Sequence, residues 1–298
     1  VGTGGTILTS PDGVNWTSQK TDIKSIVATV VYANNQYTAF AADNGTDAIL
    51  SSLDGITWQS TIIGRTFFPY NSLIWDGKQY LALNSSWGII YTSPDSIHWT
   101  ERFSDYPNNY DSVAVSNNTQ NPMYVAVGGS TGSHSSSGNV ITSPDGIHWT
   151  KITQDLPCIK SVTWGNNQFI AVGDKGGYDD QYEAGILTSP DGQKWTWQSI
   201  GGIGMWLSTV TWGNNEYVAT GEDTIANNYR EISFTSPDGI NWTKHIRGSD
   251  KILFKVKWIN NQFVGVGAAG TILTSPDGAN WTLQQSGTMN SLWDIASR

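Results

Sequence analysis

Thr142-Ser143-Pro144-Asp145-Gly146-Ile147-His148-Trp149-Thr150 decides the fold, because the chain writes this motif seven times. The other copies occupy residues 9–17, 51–59, 92–100, 188–196, 235–243 and 274–282. Between the successive aspartates Asp12, Asp54, Asp95, Asp145, Asp191, Asp238 and Asp277 the spacings are 42, 41, 50, 46, 47 and 39 residues, the period of a propeller blade. Within the motif, proline presets φ, aspartate accepts hydrogen bonds from nearby backbone N–H groups, and glycine takes a left-handed conformation. Asp95 alone is followed by Ser96 in place of glycine. The tryptophans Trp16, Trp58, Trp99, Trp149, Trp195, Trp242 and Trp281 read as large apolar plugs wedged between blades.

Working outward, residues 161–197 contain four strands: Ser161-Val162-Thr163-Trp164, a Gly-Asn-Asn turn, the run from Gln168, a connector, the run from Gly185, the Pro-Asp-Gly turn, and the run from Lys194. Val162, Phe169, Ala171, Ile186 and Trp195 are candidates for inward faces. The pairs Asn34-Asn35, Asn166-Asn167, Asn214-Asn215 and Asn260-Asn261 tolerate positive φ and close the first hairpin. The expectation is an all-β chain: a seven-bladed β-propeller of four-stranded antiparallel blades, forming one domain over residues 1–298. The start, Val1 to Leu8, looks like Val266 to Leu273, and Ser291-Leu292-Trp293-Asp294-Ile295-Ala296 reads as a first strand. A closing blade shared between the two ends follows, lacking most of its second strand or trimmed at the ends.

On Ser10, Asp12, Gly13 and Trp16, and the matching residues of the other copies, the chain resembles the Asp-box (BNR-like) repeat family. That family includes sialidases, sortilin-type receptors, xyloglucanase-type glycosidases and photosystem II assembly factors. The chain has one residue fewer between aspartate and tryptophan than the family pattern. The resemblance implies a propeller in which the Asp-boxes lie at the outer edge of each blade, away from the functional face.

Composition bounds the function. With 16 Lys+Arg against 25 Asp+Glu, the net charge of −9 disfavours nucleic acid and anionic lipid surfaces. No apolar run is long enough to span a bilayer as a helix. Low charge, one cysteine and abundant Asn, Ser, Thr and Gly suit a secreted, periplasmic or surface protein of a bacterium. Cys158 reads as core, and no Cys/His cluster indicates zinc. The aspartates are accounted for by their turns, so neither a metal nor another cofactor is expected. The glycine-rich stretch with Asp174, Asp179 and Asp180 matches no EF-hand loop.

Since tight turns join strands one to two and three to four, the variable connections fall on the opposite face, where function is expected. The longer inserts are 128–139, 173–185 and 221–232. Candidate binding residues there and in the blade-to-blade connectors are Arg65, Phe68, Tyr70, Trp87, Tyr106, Tyr110, Asp179, Asp180, Tyr182, Glu183, Trp206, Glu222, Asp223, Arg230 and Asp250. They differ from blade to blade, which favours one asymmetric site over a lectin-like repeat of identical sites. Catalysis is left open. The five arginines, Arg65, Arg102, Arg230, Arg247 and Arg298, include no N-terminal arginine signature of a sialidase, and no GxSxG, P-loop or HExxH occurs. A glycoside hydrolase using two of the loop carboxylates is the remaining enzymatic reading. The leading expectation is a non-catalytic module that binds a protein partner, with carbohydrate binding through Trp206, Tyr106, Tyr110 and Trp87 as the alternative.

Overall fold

In the computed structural model, described over residues 1–43, 46–64, 70–118, 120–131, 136–176, 182–224, 230–247 and 251–298, the strands form six four-stranded antiparallel sheets and one two-stranded sheet. The fold is an all-β propeller. Blade 1 comprises Ile26–Ala33, Gln36–Asp43, Thr46–Ser52 and Gln59–Gly64. Blade 2 comprises Tyr70–Trp75, Tyr80–Asn84, Ile89–Ser93 and Thr100–Ser104. Blade 3 follows with Ser112–Val115, Tyr124–Thr131, Ser136–Ser143 and Thr150–Lys151. Blade 4 is Cys158–Gly165, Gln168–Lys175, Glu183–Ser189 and Thr196–Ile203. Blade 5 is Met205–Gly213, Glu216–Asp223, Arg230–Ser236 and Thr243–Ile246. Blade 6 is Leu253–Ile259, Gln262–Gly267, Ile272–Ser275 and Thr282–Gln284.

This corrects the expected count of seven four-stranded blades. The motif at 9–17 closes only a hairpin of Ile7–Thr9 and Thr17–Gln19. Around it, the residues at the two chain ends make isolated bridges, Gly2 to Leu292 and Thr3 to Ile26, instead of a ladder. We call this region the seam. It is still tied down: the Trp293 N–H donates to the Val1 carbonyl at 2.8 Å, and the Leu292 N–H to Gly267 at 2.9 Å.

The repeated turns follow from their chemistry. In the 143–149 copy, Ser143 Oγ accepts from the Gly146 N–H at 2.9 Å and donates to Asp145 at 3.0 Å. Asp145 Oδ1 accepts the N–H groups of Ile147 and His148, each at 2.8 Å. Gly146 then sits at φ 73°, and Ser96 takes the same left-handed region at 64°. The indole of Trp149 donates to the carbonyl of its own Gly146 at 3.0 Å. Each tryptophan is thus hydrogen-bonded within its own turn, while Trp195 also enters the apolar layer between blades 3 and 4. The Asn pairs adopt positive φ at both positions, as the first hairpin requires.

Alternation along the second strands builds the core between blades. Phe169, Ala171 and Leu187 pack toward blade 3, while Ile170, Val172 and Ile186 pack toward blade 5. All six are buried, and burying each of the larger side chains is worth about 2 kcal/mol. First strands of neighbouring blades contact one another, which places them innermost around the axis.

Candidate functional site

Both repeated turn types lie at one end of the blades, so the ends of the second strands and the beginnings of the first strands meet at the other. The first strands carry a recurring irregularity there. The register shifts between Val27 and Thr29, Tyr70 and Ser72, Ile159 and Ser161, Leu207 and Thr209, and Leu253 and Lys255. A bulge of this kind leaves one residue unpaired and re-aims its side chain. At described bulge positions stand Ala28, Lys160, Ser208 and Phe254, a different chemistry in each blade.

On blade 2 the Trp87 ring stacks on Tyr106, with centroids 5.2 Å apart and planes at 28°. Tyr106 is 66% exposed. Asp105 beneath it organises the loop: its carboxylate accepts from the Tyr110 hydroxyl at 2.9 Å and from Lys151 at 2.9 Å, and its N–H donates to Gly88 at 3.2 Å. Burial works to raise the Asp105 pKa, but Lys151 and Tyr110 outweigh it and hold the carboxyl below its usual value. Tyr110 is buried, and burial together with Asp105 pushes its hydroxyl far above the usual range. It therefore positions the loop and offers no face for stacking.

Blade 5 contributes a second cluster. Glu222 and Glu231 are paired across the second and third strands, and both are buried. Glu231 is ion-paired with buried Arg247, whose guanidinium lies over the Trp281 ring at 5.9 Å. Burial raises the Glu222 pKa, against hydrogen bonds from Glu231 and Trp206 and the charge of Arg247. The two stand opposite each other in the strand register, and Glu231 is committed to its ion pair with Arg247, which takes it out of service as a glycosidase acid or base. Asp223 is bound by Lys244 at 2.7 Å and faces Arg230 in the register. Trp206 is half-buried beside them.

Tyr182 links blades 4 and 5: its carbonyl accepts from the Gly204 N–H at 2.8 Å, and Gly204 accepts from Thr224 at 2.7 Å. Glu183 stands opposite Lys175 in the strand register, and the Lys175 ammonium lies 4.9 Å over the Trp197 ring. Arg65, Phe68, Asp179, Asp180 and Asp250, and the side chain of Tyr70, lie outside the described residues. The sequence reading did not select Trp293 for this face. It is 38% exposed and stacks on Phe254 at 4.4 Å and 15°. Its apolar neighbours Leu292 and Ile295 made it read as one more strand residue; the available signal was that it occupies the same strand position as the variable residues Lys160, Ser208 and Phe254.

Among the described residues, no group of three or more His, Cys, Asp or Glu side chains is placed to hold a metal ion. No helix among them is long and apolar enough to cross a membrane.

No family model matches the chain, and no curated protein matches it by sequence. Solved structures do. One is YCF48 bound to D1 peptide, at 16% identity and TM-score 0.67, over 92% of this chain and 86% of that one. The tricorn protease is similar at 7% identity and TM-score 0.63, over 95% of this chain and 33% of that one. A chain of the nidogen/laminin complex is similar at 12% identity and TM-score 0.58, over 88% of this chain and 97% of that one. What they share with this chain is the propeller fold. At these identities a fold carries no function of its own.

Proposed function

We propose that the chain is a recognition module that grips a protein partner with its loop face. The observation that carries this reading is the contrast between the two ends of the blades. Turn residues repeat at one end, whereas the other presents a non-repeating set: the Trp87–Tyr106 stack, Trp206, the Phe254–Trp293 stack and the Lys175–Trp197 pair. Exposed aromatics beside fixed charges are the composition of protein-binding hot spots. The propeller of YCF48, bound to D1 peptide, supports a peptide or protein as ligand. The buried ion pair of Glu231 with Arg247 speaks against Glu222 and Glu231 as a pair of glycosidase carboxylates. In this reading the chain is one propeller domain of the Asp-box class, acting outside the cytoplasm, and its loop carboxylates and Arg230 serve as rim contacts.

The test is site-specific photo-crosslinking. A crosslinker at Tyr106 or Trp206 is expected to capture one defined partner that a crosslinker at Gln193, on the opposite turns, does not. Equal capture from both ends, or sugar release abolished by Glu222→Gln, refutes the reading.

A further inference from the structure

The innermost strands carry an amine without a partner. The residue that follows the register shift of a first strand is Thr29, Ser72, Ser161 and Thr209 in blades 1, 2, 4 and 5, and Lys255 in blade 6. The four hydroxyl residues are buried. Ser161 turns toward the next blade and accepts the Val210 N–H at 3.3 Å. A lysine is too long for a slot that serine fills, and Lys255 is only half-buried. Because the first strands surround the axis, the end of Lys255 that meets water faces the central channel.

Asp294 holds the same strand position at the seam, but its carboxylate is already full. Oδ2 accepts from the Thr29 hydroxyl at 2.8 Å and the Val30 N–H at 3.0 Å, and Oδ1 from Lys257 at 2.7 Å and the Ile295 N–H at 2.8 Å. A carboxylate offers about four lone-pair sites, so none is left for Lys255. Among the described residues the Lys255 amine makes no hydrogen bond and no ion pair. Burial pulls its pKa below the usual lysine value; Asp294 opposes this, and Lys257 adds to it. A desolvated lysine beside a second ammonium is the setting in which an ε-amine becomes a nucleophile near neutral pH.

The surroundings specify what such an amine takes. Its own chemistry calls for a carbonyl. Lys255 and Lys257 against Asp294 alone leave the cluster positive, which favours a ligand that also carries an anionic group. Phe254 and Trp293, each one residue before Lys255 and Asp294, stack at 4.4 Å and put an apolar wall beside the amine. At the same position on the neighbouring blade, the Thr209 hydroxyl is buried with no partner.

We propose that Lys255 is a covalent binding site for a small anionic carbonyl compound, a 2-oxo acid being the simplest, held in the channel as an imine. The amine lone pair forms the C–N bond as the π pair of the carbonyl moves to its oxygen. That oxygen leaves as water with both amine hydrogens, so nothing is oxidised or reduced. The carboxylate of the ligand offsets the excess charge of the two lysines, and Thr209 supplies a hydroxyl donor to its oxygens. The site does not depend on what the loop face grips.

The probe is pyruvate with cyanoborohydride, which reduces an imine to a stable secondary amine, applied to the 298-residue chain at neutral pH and read by peptide mapping. The adduct at Lys255 is expected to form about tenfold faster than at the exposed Lys78. Acetone, a ketone of like size without the carboxylate, should show a smaller preference for Lys255 over Lys78. Lys257→Met frees a lone pair of Asp294 for Lys255, so labelling there should fall to the Lys78 level. Should that variant fail to fold, the wild-type mapping and the acetone comparison decide alone. Labelling of Lys255 no faster than Lys78, an adduct confined to the Val1 amine, the same preference with acetone as with pyruvate, or undiminished labelling in a folded Lys257→Met chain each overturns the proposal.

Discussion

Replacing Asp294 by alanine should open the ring at its weakest join. Asp294 is 5% exposed and spans the seam. One carboxylate oxygen accepts from the Thr29 hydroxyl at 2.8 Å and the Val30 N–H at 3.0 Å; the other accepts from Lys257 at 2.7 Å. Burial works to raise its pKa, and Lys257 and Lys255 outweigh that and hold it below the usual carboxylate value. In blades 3 and 4 the equivalent position is served by a neutral hydroxyl: Ser112 accepts the Val162 N–H at 3.2 Å and Ser161 the Val210 N–H at 3.3 Å. Truncation leaves the Val30 N–H and Thr29 hydroxyl unpaired, at about 1–3 kcal/mol for a buried group. It also strands the two lysines, where breaking a buried pair costs about 3–5 kcal/mol. Lys257 is 31% exposed and can turn to water, which places the total near the lower figure, about 3 kcal/mol. The corresponding fall in melting temperature is about 6–12 °C. Asp294→Ser should fall between wild type and alanine, restoring the Val30 bond and leaving the lysines. Circular dichroism melts and urea unfolding measure both variants. An alanine variant within about 0.5 kcal/mol of wild type, or a serine variant no better than alanine, refutes the assignment of Asp294 as the closing tie.

Asp145→Ala removes an acceptor from two N–H groups on an exposed turn, so it should cost about 1 kcal/mol in urea unfolding while leaving loop-face crosslinking unchanged; lost capture by a fully folded variant contradicts the division of roles. Turn N–H groups hold Asp12 and Asp238 well below the usual carboxylate range, the His98 side chain and then the turn N–H groups do so at Asp95, and at Asp277 turn N–H groups and Asn280 outweigh partial burial and bring it to about 2. A depressed folded pKa gives stability above the unfolded value of 3.8 that is lost as pH falls toward 2, so melts between pH 5 and pH 2 should decline, and less steeply for Asp277→Asn. Glu222 has the opposite sign: its pKa is raised, so its contribution is complete below the unfolded value and fades as pH rises through the folded one. Glu222→Gln should therefore gain stability relative to wild type as pH rises from 4 to 8, and a constant difference across that range would contradict it.

The turns were legible because their chemistry is local. Ser143, Asp145, Gly146 and Trp149 satisfy one another within seven residues, and each step is visible in the residue types. The alternation of Phe169 and Ile170 onto opposite faces likewise follows from the period of a strand. The blade count failed at the seam, because a motif at 9–17 promises a turn and says nothing of whether both inner strands will ladder beside it. The loop face was legible only in outline. Whether Tyr110 stacks on a ligand or disappears beneath one depends on Asp105 and Lys151, and the latter lies on another strand. Nor does a sequence show a bulge: Phe254 and Trp293 face each other because of strand register, which no composition encodes.

The self-sufficiency of the turns bears on how such a chain can change. A hairpin whose serine, aspartate and indole satisfy one another can be exchanged between blades by recombination with its own turn chemistry intact. Unequal crossing-over at the nine-residue motif would then add or delete whole blades in register, with only the join carrying Asp294 resisting the shuffle. The ring is in this sense editable everywhere except at its clasp.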